Sequence, residues 1–339
     1  MIRIPSATPA CRNATRRRAT AALALALATL AGLAPEAAGA ADALRIAATR
    51  APVSLPLYVA QRQGFFADEH LDVTIADCVG GTRCLRQLLD GKADLATTSE
   101  MPVVLQAFVH PDAAIVATMV HASDNLKLIA RKASGVTRSE QLAGRRVGVI
   151  AGTAAQYLLE THLLDVGVDP RHVMMVPLQA EETVAALKSG RVDAVAVWEP
   201  FGYAALHGDD AAGLRLPLGG GYIESYNLVG RRAAQRDDEL VRLLRAVERA
   251  EQFIQARPAE AQAILREQLR LDQHFVDWVW TGLGFRLSLD QALVSTMEGE
   301  ARWAQREGHV AGGARPNVLT LIHAGPLKAV KPDAVGTGG

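Results

Sequence analysis

One short pattern occurs twice, and it restricts the fold more than any other feature of the 339 residues. Leu89-Asp-Gly91-Lys-Ala-Asp94 is answered by Lys188-Ser-Gly190-Arg-Val-Asp193. In both copies glycine precedes aspartate by three, and a glutamate, Glu100 or Glu199, follows the aspartate by six. Strands alternate with helices around each copy. In the first half the spacing predicts strands over 44–48, 71–75, 93–98 and 114–120, with helices over 55–63, 82–90 and 101–108. The second half restarts with strands over 146–150, 172–176 and 192–197 and helices over 154–165 and 181–188. Gly64, Gly91, Gly167 and Gly190 each follow a helix, the usual residue just past a helix C-terminus. Alternation of this kind implies mainly parallel sheets covered on both faces. The repeat, offset by roughly a hundred residues, implies two lobes of ordinary domain size.

Two further segments, Asn125–Arg131 and Tyr226–Arg231, alternate polar and apolar residues, and both are read as crossings between lobes. Beyond the second crossing the chain is expected to be helical, over 238–256, 259–269, 272–281 and 289–306, and to pack back on the first lobe. The expected division is a leader over 1–40, a first lobe from 41–127 and 228–324, a second lobe over 128–227, and a flexible tail over 325–339.

The leader reading rests on Arg16-Arg17-Arg18, an apolar run over 21–31, Pro35 and Ala38-Gly39-Ala40. This is the order of a cleavable export signal cut after Ala40. The alternative is an amphipathic or anchoring helix, although the run is well short of the roughly 20 residues that span a bilayer. No bulky apolar pair follows the arginines, which favours the general export route over the twin-arginine one. Cutting there removes Arg3, Arg12, Arg16, Arg17, Arg18 and Glu36 and leaves 31 basic and 35 acidic residues. The mildly acidic balance argues against nucleic acid or anionic lipid as a partner. Cys78 and Cys84 remain, six positions apart. In an oxidising compartment they read as a disulfide; the alternative is two reduced cysteines, one at a strand end and one on a helix.

In open α/β sheets ligands lie beyond the carboxyl ends of the strands, where helix N-termini gather. Those ends supply the candidate binding residues: Arg50 and Ser54; Gly81 and Thr82; Ser99 and Glu100; Gly152, Thr153 and Ala154; and Trp198 and Glu199. His121 ends a strand, and Tyr222 precedes the second crossing. Each has a plainer reading as a turn, a helix cap or core; their convergence on one edge is what favours binding. Trp278 and Trp280 are read as core. No nucleophile elbow, phosphate loop or zinc-protease motif occurs, and Gly282-Leu-Gly284 lacks the third glycine of a dinucleotide fingerprint. No enzyme activity, cofactor or metal is expected.

The segments 57–73, 88–96, 142–149 and 185–200 together resemble the nitrate/sulfonate/taurine-type substrate-binding proteins of ABC importers. The likeness covers about residues 44–310. It implies an α/β, two-lobed periplasmic binding protein fold of type II, with two hinge crossings and closure on the ligand. The expected protein is a monomer that delivers its ligand to a membrane permease, and the helix N-termini with Arg50 and Arg83 favour a small sulfonate, nitrate-like or other small anion. His70 departs from the glycine many relatives carry, and the cysteine pair is not a general family feature. Glu100, Glu199, Trp198 and Tyr222 leave open a nitrogen heterocycle such as a pyrimidine or thiamine precursor. The fold is shared with an iron-dependent pyrimidine-precursor synthase, and a ligand sensor is a further alternative.

Overall fold

The computed structural model describes residues 41–109, 111–208, 211–219, 221–232, 236–311 and 313–336. The leader and its cut therefore lie outside the described residues. The strands are β1 (Asp42–Thr49), β2 (Leu71–Cys78), β3 (Leu95–Ser99), β4 (Ala113–Ala122), β5 (Leu126–Arg131), β6 (Arg146–Val149), β7 (Met174–Pro177), β8 (Ala194–Trp198), β9 (Gly213–Leu216), β10 (Glu224–Arg231) and β11 (Leu283–Ser288). The α-helices are α1 (Leu55–Arg62), α2 (Phe65–Asp68), α3 (Gly81–Leu89), α4 (Glu100–Ala107), α5 (Ala154–Asp165), α6 (Thr183–Ser189), α7 (Phe201–His207), α8 (Asp237–Ala256), α9 (Pro258–Leu269), α10 (Gln273–Trp280), α11 (Gln291–Arg306) and α12 (Gly325–Val330).

Two sheets form, in the orders β11-β4-β10-β3-β1-β2 and β7-β6-β8-β5-β9. β1 is parallel to β2 and β3, and β6 is parallel to β7 and β8. Each sheet also accepts one crossing strand antiparallel at the equivalent place, β10 beside β3 and β5 beside β8. With β11 set aside, β2-β1-β3-β10-β4 and β7-β6-β8-β5-β9 are one order built twice.

The doubled signature has the same structural job in both sheets. Asp94 accepts from the backbone N–H of Arg45 at 2.8 Å and from its Nε and Nη2 at 3.1 Å. Asp193 accepts from the backbone N–H of Arg146 at 3.1 Å and from its Nε and Nη2 at 3.1 and 2.8 Å. Each aspartate thus ties the start of β3 or β8 to the first strand of its sheet, β1 or β6. Gly91 and Gly190 turn the chain toward it at φ +72° and +74°, where a side chain would be strained.

Burial explains why the strands read as apolar runs. In β8, Ala194 and Ala196 join one apolar cluster while Val195 and Val197 join another on the opposite face. A sheet covered on both faces has no solvent side to require alternation. Edge strand β2 is exposed along much of its length and does alternate.

Three expectations need correction. The chain after the second crossing is not all helix: β11 lies against β4, so Gly284 of the Gly282-Leu-Gly284 triplet belongs to a strand. Nor does all of it pack on the first lobe. Leu293, Val294 and Met297 of α11 sit in the first lobe's core, but Trp303 and Ala304 sit in the second's. A 16-residue helix is about 24 Å long and reaches across both. Trp303 is anchored there by an Nε1–H bond to Glu160 at 3.0 Å. Finally, the region from 325 is not simply a flexible tail, because α12 buries Leu327 completely. No described helix is long and apolar enough to cross a membrane.

Candidate functional site

The carboxyl ends of both sets of parallel strands open onto one cavity of about 360 Å³, within the usual range for small-molecule sites. Loop 79–83 after β2 forms one wall. Gly80, at φ +78°, lies so close to Trp198 that an added Cβ would be 3.1 Å from the indole; at Gly81 it would be 2.3 Å from Thr98 Oγ1. The glycines therefore let backbone meet its neighbours at distances closed to any side chain. Cys78 and Cys84 are joined by a disulfide that brackets this loop. The opposite wall is built by Ile150, Ala151 and 153–155 after β6, by Gln179 after β7 and by Trp198 at the end of β8.

Helices α3 and α5 both begin at the cavity, and neither has a side-chain cap. Thr153 does not cap α5; its hydroxyl donates to the Ile150 carbonyl at 2.7 Å. Thr82 Oγ1 is buried and has no hydrogen-bond partner among the described residues. Two uncapped N-termini, one from each lobe, thus direct partial positive charge at the same space.

The floor comes from the crossings. Asn125 precedes β5, Glu224 opens β10, and both line the cavity. Asn125 Nδ2 donates to Glu224 Oε2 at 2.7 Å. Burial pushes the Glu224 carboxyl up to about 7, against the pull of hydrogen bonds from Asn125 and Ser99. Behind it, Glu100 accepts from Tyr222 Oη at 2.6 Å and from Ser225 N at 3.1 Å. Burial, with the charge of Glu224 adding to it, raises Glu100 to about 8. Glu300 on α11 is also wholly buried, and burial followed by the Glu100 charge holds it well above the carboxylate range. Glu199 has a different environment. It pairs with buried Lys127 at 3.3 Å and accepts from Trp278 Nε1 and Tyr203 N, each at 2.7 Å.

Seven of the sequence-derived candidates line the cavity: Gly81, Thr82, Ser99, Thr153, Ala154, Trp198 and Glu199. The other six do not. Arg50 turns away to Asp77 and the Leu269 carbonyl. Ser54 is buried and donates to the Thr49 carbonyl. Gly152 makes the turn before α5, its N–H held by Gln156. Glu100 is sealed behind the floor. His121 and Tyr222 line a second cavity of about 800 Å³. Ser225 also faces it, whereas its neighbours Glu224 and Tyr226 line the first, as strand alternation requires. His121 is occupied there by Ser288 at 2.9 Å. Asn125, Gln179 and Glu224 are on the cavity wall but were not among the candidates. Two of these, Asn125 and Glu224, begin or flank the crossings, so the signal was the crossings themselves. Trp278 is not core but an interlobe donor. Among the described residues no cluster of three His, Cys, Asp or Glu is arranged to hold a metal.

The fold and site can be set beside known proteins. An alkanesulfonate-binding protein, SsuA, from Xanthomonas axonopodis pv. citri, solved bound to MOPS, superimposes with a TM-score of 0.72 at 18% identity, over 83% of this chain and 98% of that one. The periplasmic nitrate-binding protein NrtA from Synechocystis PCC 6803 gives 0.68 at 15% identity, over 86% and 88%. At such identities the likeness establishes the two-lobed periplasmic binding protein fold. A curated Bacillus subtilis (strain 168) relative, YtlA, provisionally named a binding protein, is 31% identical over 116 residues, 32% of this chain and 35% of that one. The chain spans between about a third and a half of the length of the curated relatives it matches. The family model described as NMT1/THI5 like matches residues 51–261, more than half of the sequence. The chain belongs to the NMT1/THI5-like family.

Proposed function

We propose that this chain is the solute-binding component of an ABC-type importer. It captures a small sulfonate, nitrate-like or other small organic anion between its lobes and delivers it, unaltered, to a membrane permease. On this reading residues 41–127 and 228–324 form one lobe and 128–227 the other, and the protein works in the periplasm as a monomer after loss of its leader. The observation that carries the proposal is the pair of uncapped helix N-termini, at Gly81–Thr82 and Thr153–Ala155, opening on one cavity from opposite lobes. An anion bridging them would favour the closed arrangement. Arg86, also on the cavity wall, has no carboxylate partner among the described residues. The sulfonate- and nitrate-binding proteins of the same fold add support. A second reading, a nitrogen heterocycle, is favoured by the Trp198 wall, since an indole face suits a flat ring.

The test is thermal unfolding of the mature protein against alkanesulfonates, nitrate, aromatic acids and pyrimidines. A ligand at 100 times its dissociation constant should stabilise the fold by about 2.7 kcal/mol. Stabilisation by none of these classes would refute the proposal.

A further inference from the structure

The cavity floor carries a feature that a bare anion does not satisfy. Glu224 is 5% exposed, lines the cavity and has no ion-pair partner among the described residues. Of the nearby cations, Arg86 makes no ion pair with Glu224 among the described residues, and the other two are engaged elsewhere. Lys127 pairs with Glu199 and Asp124. Arg83 pairs with Glu181 and donates to Gln179. The groups that do reach Glu224 are donors, the Asn125 amide at 2.7 Å and the Ser99 hydroxyl. Behind it stands another carboxyl, Glu100, itself engaged by Tyr222 and Ser225. An environment of converging donors marks Glu224 as an acceptor once it is ionised, above about pH 7, and an oxyanion pressed against it would then set acceptor against acceptor in a desolvated pocket.

We propose that Glu224 selects the ligand: the end that reaches the floor carries an N–H donor, from a protonated amine or a ring nitrogen, and a bare oxyanion is rejected there. The inference rests on the small-solute reading above and narrows it. The ligand spans two poles. Its acceptor end meets the helix N-termini and its donor end meets Glu224, with Trp198 beside it. A cavity of about 360 Å³ is large enough for a molecule with two such ends. Donor-built sites reject analogues lacking the matching group strongly, because a buried polar group is then left unpaired.

Two matched probe pairs test this by titration calorimetry at about pH 8, where Glu224 is ionised: 2-aminoethanesulfonate against ethanesulfonate, and 4-aminopyrimidine against pyrimidine. The donor-bearing member of at least one pair should bind wild type at least tenfold tighter. If the donor is an ammonium, E224Q should reduce that preference below threefold. If it is a neutral N–H, E224Q should retain it, because an amide oxygen still accepts, and E224M should abolish it. Unfolding temperatures of both variants confirm that the lobes are intact. Equal binding of both members of each pair to wild type overturns the role of Glu224 and leaves the small-solute reading standing. A preference that survives E224M overturns it also. Binding of none of the four probes overturns the inference, while the small-solute reading stands or falls by the wider panel above.

Discussion

Arg83 and Glu181 meet across the mouth of the cavity, Nη1 to Oε1 at 2.5 Å, and Gln179 accepts from the same guanidinium at 3.0 Å. Arg83 belongs to loop 79–83 and its helix, on the first sheet's side; Glu181 follows β7 on the second. The pair is therefore a latch between lobes. Both side chains are nearly half exposed, so the contact is worth at most about 1 kcal/mol and is screened by salt. An open–closed equilibrium is sensitive to that little, since 1 kcal/mol is about fivefold in population. R83A should release bound ligand a few-fold faster in stopped-flow displacement, with the difference from wild type shrinking as salt rises. An unchanged release rate at low salt would show that the latch does not hold the lobes.

The disulfide sits at the base of the same loop. Cys78 ends β2, an edge strand with one neighbour, and Cys84 lies in the first turns of α3. A loop this short gives only about 2 kcal/mol by chain entropy, so the larger consequence is local. Without the bridge, the loop is held mainly by Gly80 against Trp198 and by the Arg83 pair. Reduction, or paired C78S/C84S, should lower stability by about 2 kcal/mol. Amide exchange should rise at 79–84 and, across the cleft, at 179–182, while β4 and β10 stay protected. Exchange confined to the first lobe would mean the bridge does not support the cross-cleft contact.

Much of this architecture was legible in the chain because it is written locally. The repeat Gly-x-x-Asp marks a left-handed turn, which needs only short-range chemistry, although the clamp it supplies reaches 49 and 47 positions back, to β1 and β6. The first turns around the cavity were legible for the same reason: Gly81, Thr82 and Thr153 follow strand ends. What escaped the reading depends on tertiary paths. Glu224 and Asn125 belong to crossings whose direction no periodicity reveals. Arg50 and Ser54 follow β1 in sequence but are turned aside by partners distant in the chain or by the backbone. Strand β11 is short and Gly-interrupted, and it exists because β4 offers it an edge. His70 was visible as a departure from glycine, and the structure supplies its meaning: it sits at φ +55°, a conformation that costs any side chain but glycine.

Lys127 and Glu199 form a nearly fully buried ion pair, each side chain 1% exposed. Lys127 also reaches the Asp124 side chain at 3.2 Å and donates to the Asp124 carbonyl. Removing one partner leaves the other charge desolvated. K127M should therefore destabilise the protein by about 3–5 kcal/mol, whereas K127M/E199Q should recover a good part of that loss. Urea unfolding of wild type, K127M, E199Q and the double variant measures the coupling. A double variant no better than the single would show that Trp278 and Tyr203, which also donate to Glu199, matter more than the charge.

The acid cluster behind the floor makes the last prediction, one of sign. Burial raises Glu100 to about 8 and Glu224 to about 7, and holds Glu300 well above its ordinary value. An unfolded chain releases these protons near pH 4.3. Between there and about pH 8 the native state binds more protons than the unfolded one, so stability falls as pH rises. Below about pH 4 the clamped aspartates act the other way. Asp193 is held low chiefly by Arg146, and its contribution is lost on acidification. The protein should thus be more stable at pH 5 than at pH 8, by on the order of a few kcal/mol. E300Q carries no proton to lose and should flatten that slope while leaving the acid limb unchanged. Chemical unfolding at pH 3, 5, 6.5 and 8 measures both limbs. A wild-type curve that rises from pH 5 to 8, or an E300Q curve parallel to wild type, would mean that these carboxyls are ionised in the folded protein and that something besides Tyr222 compensates them.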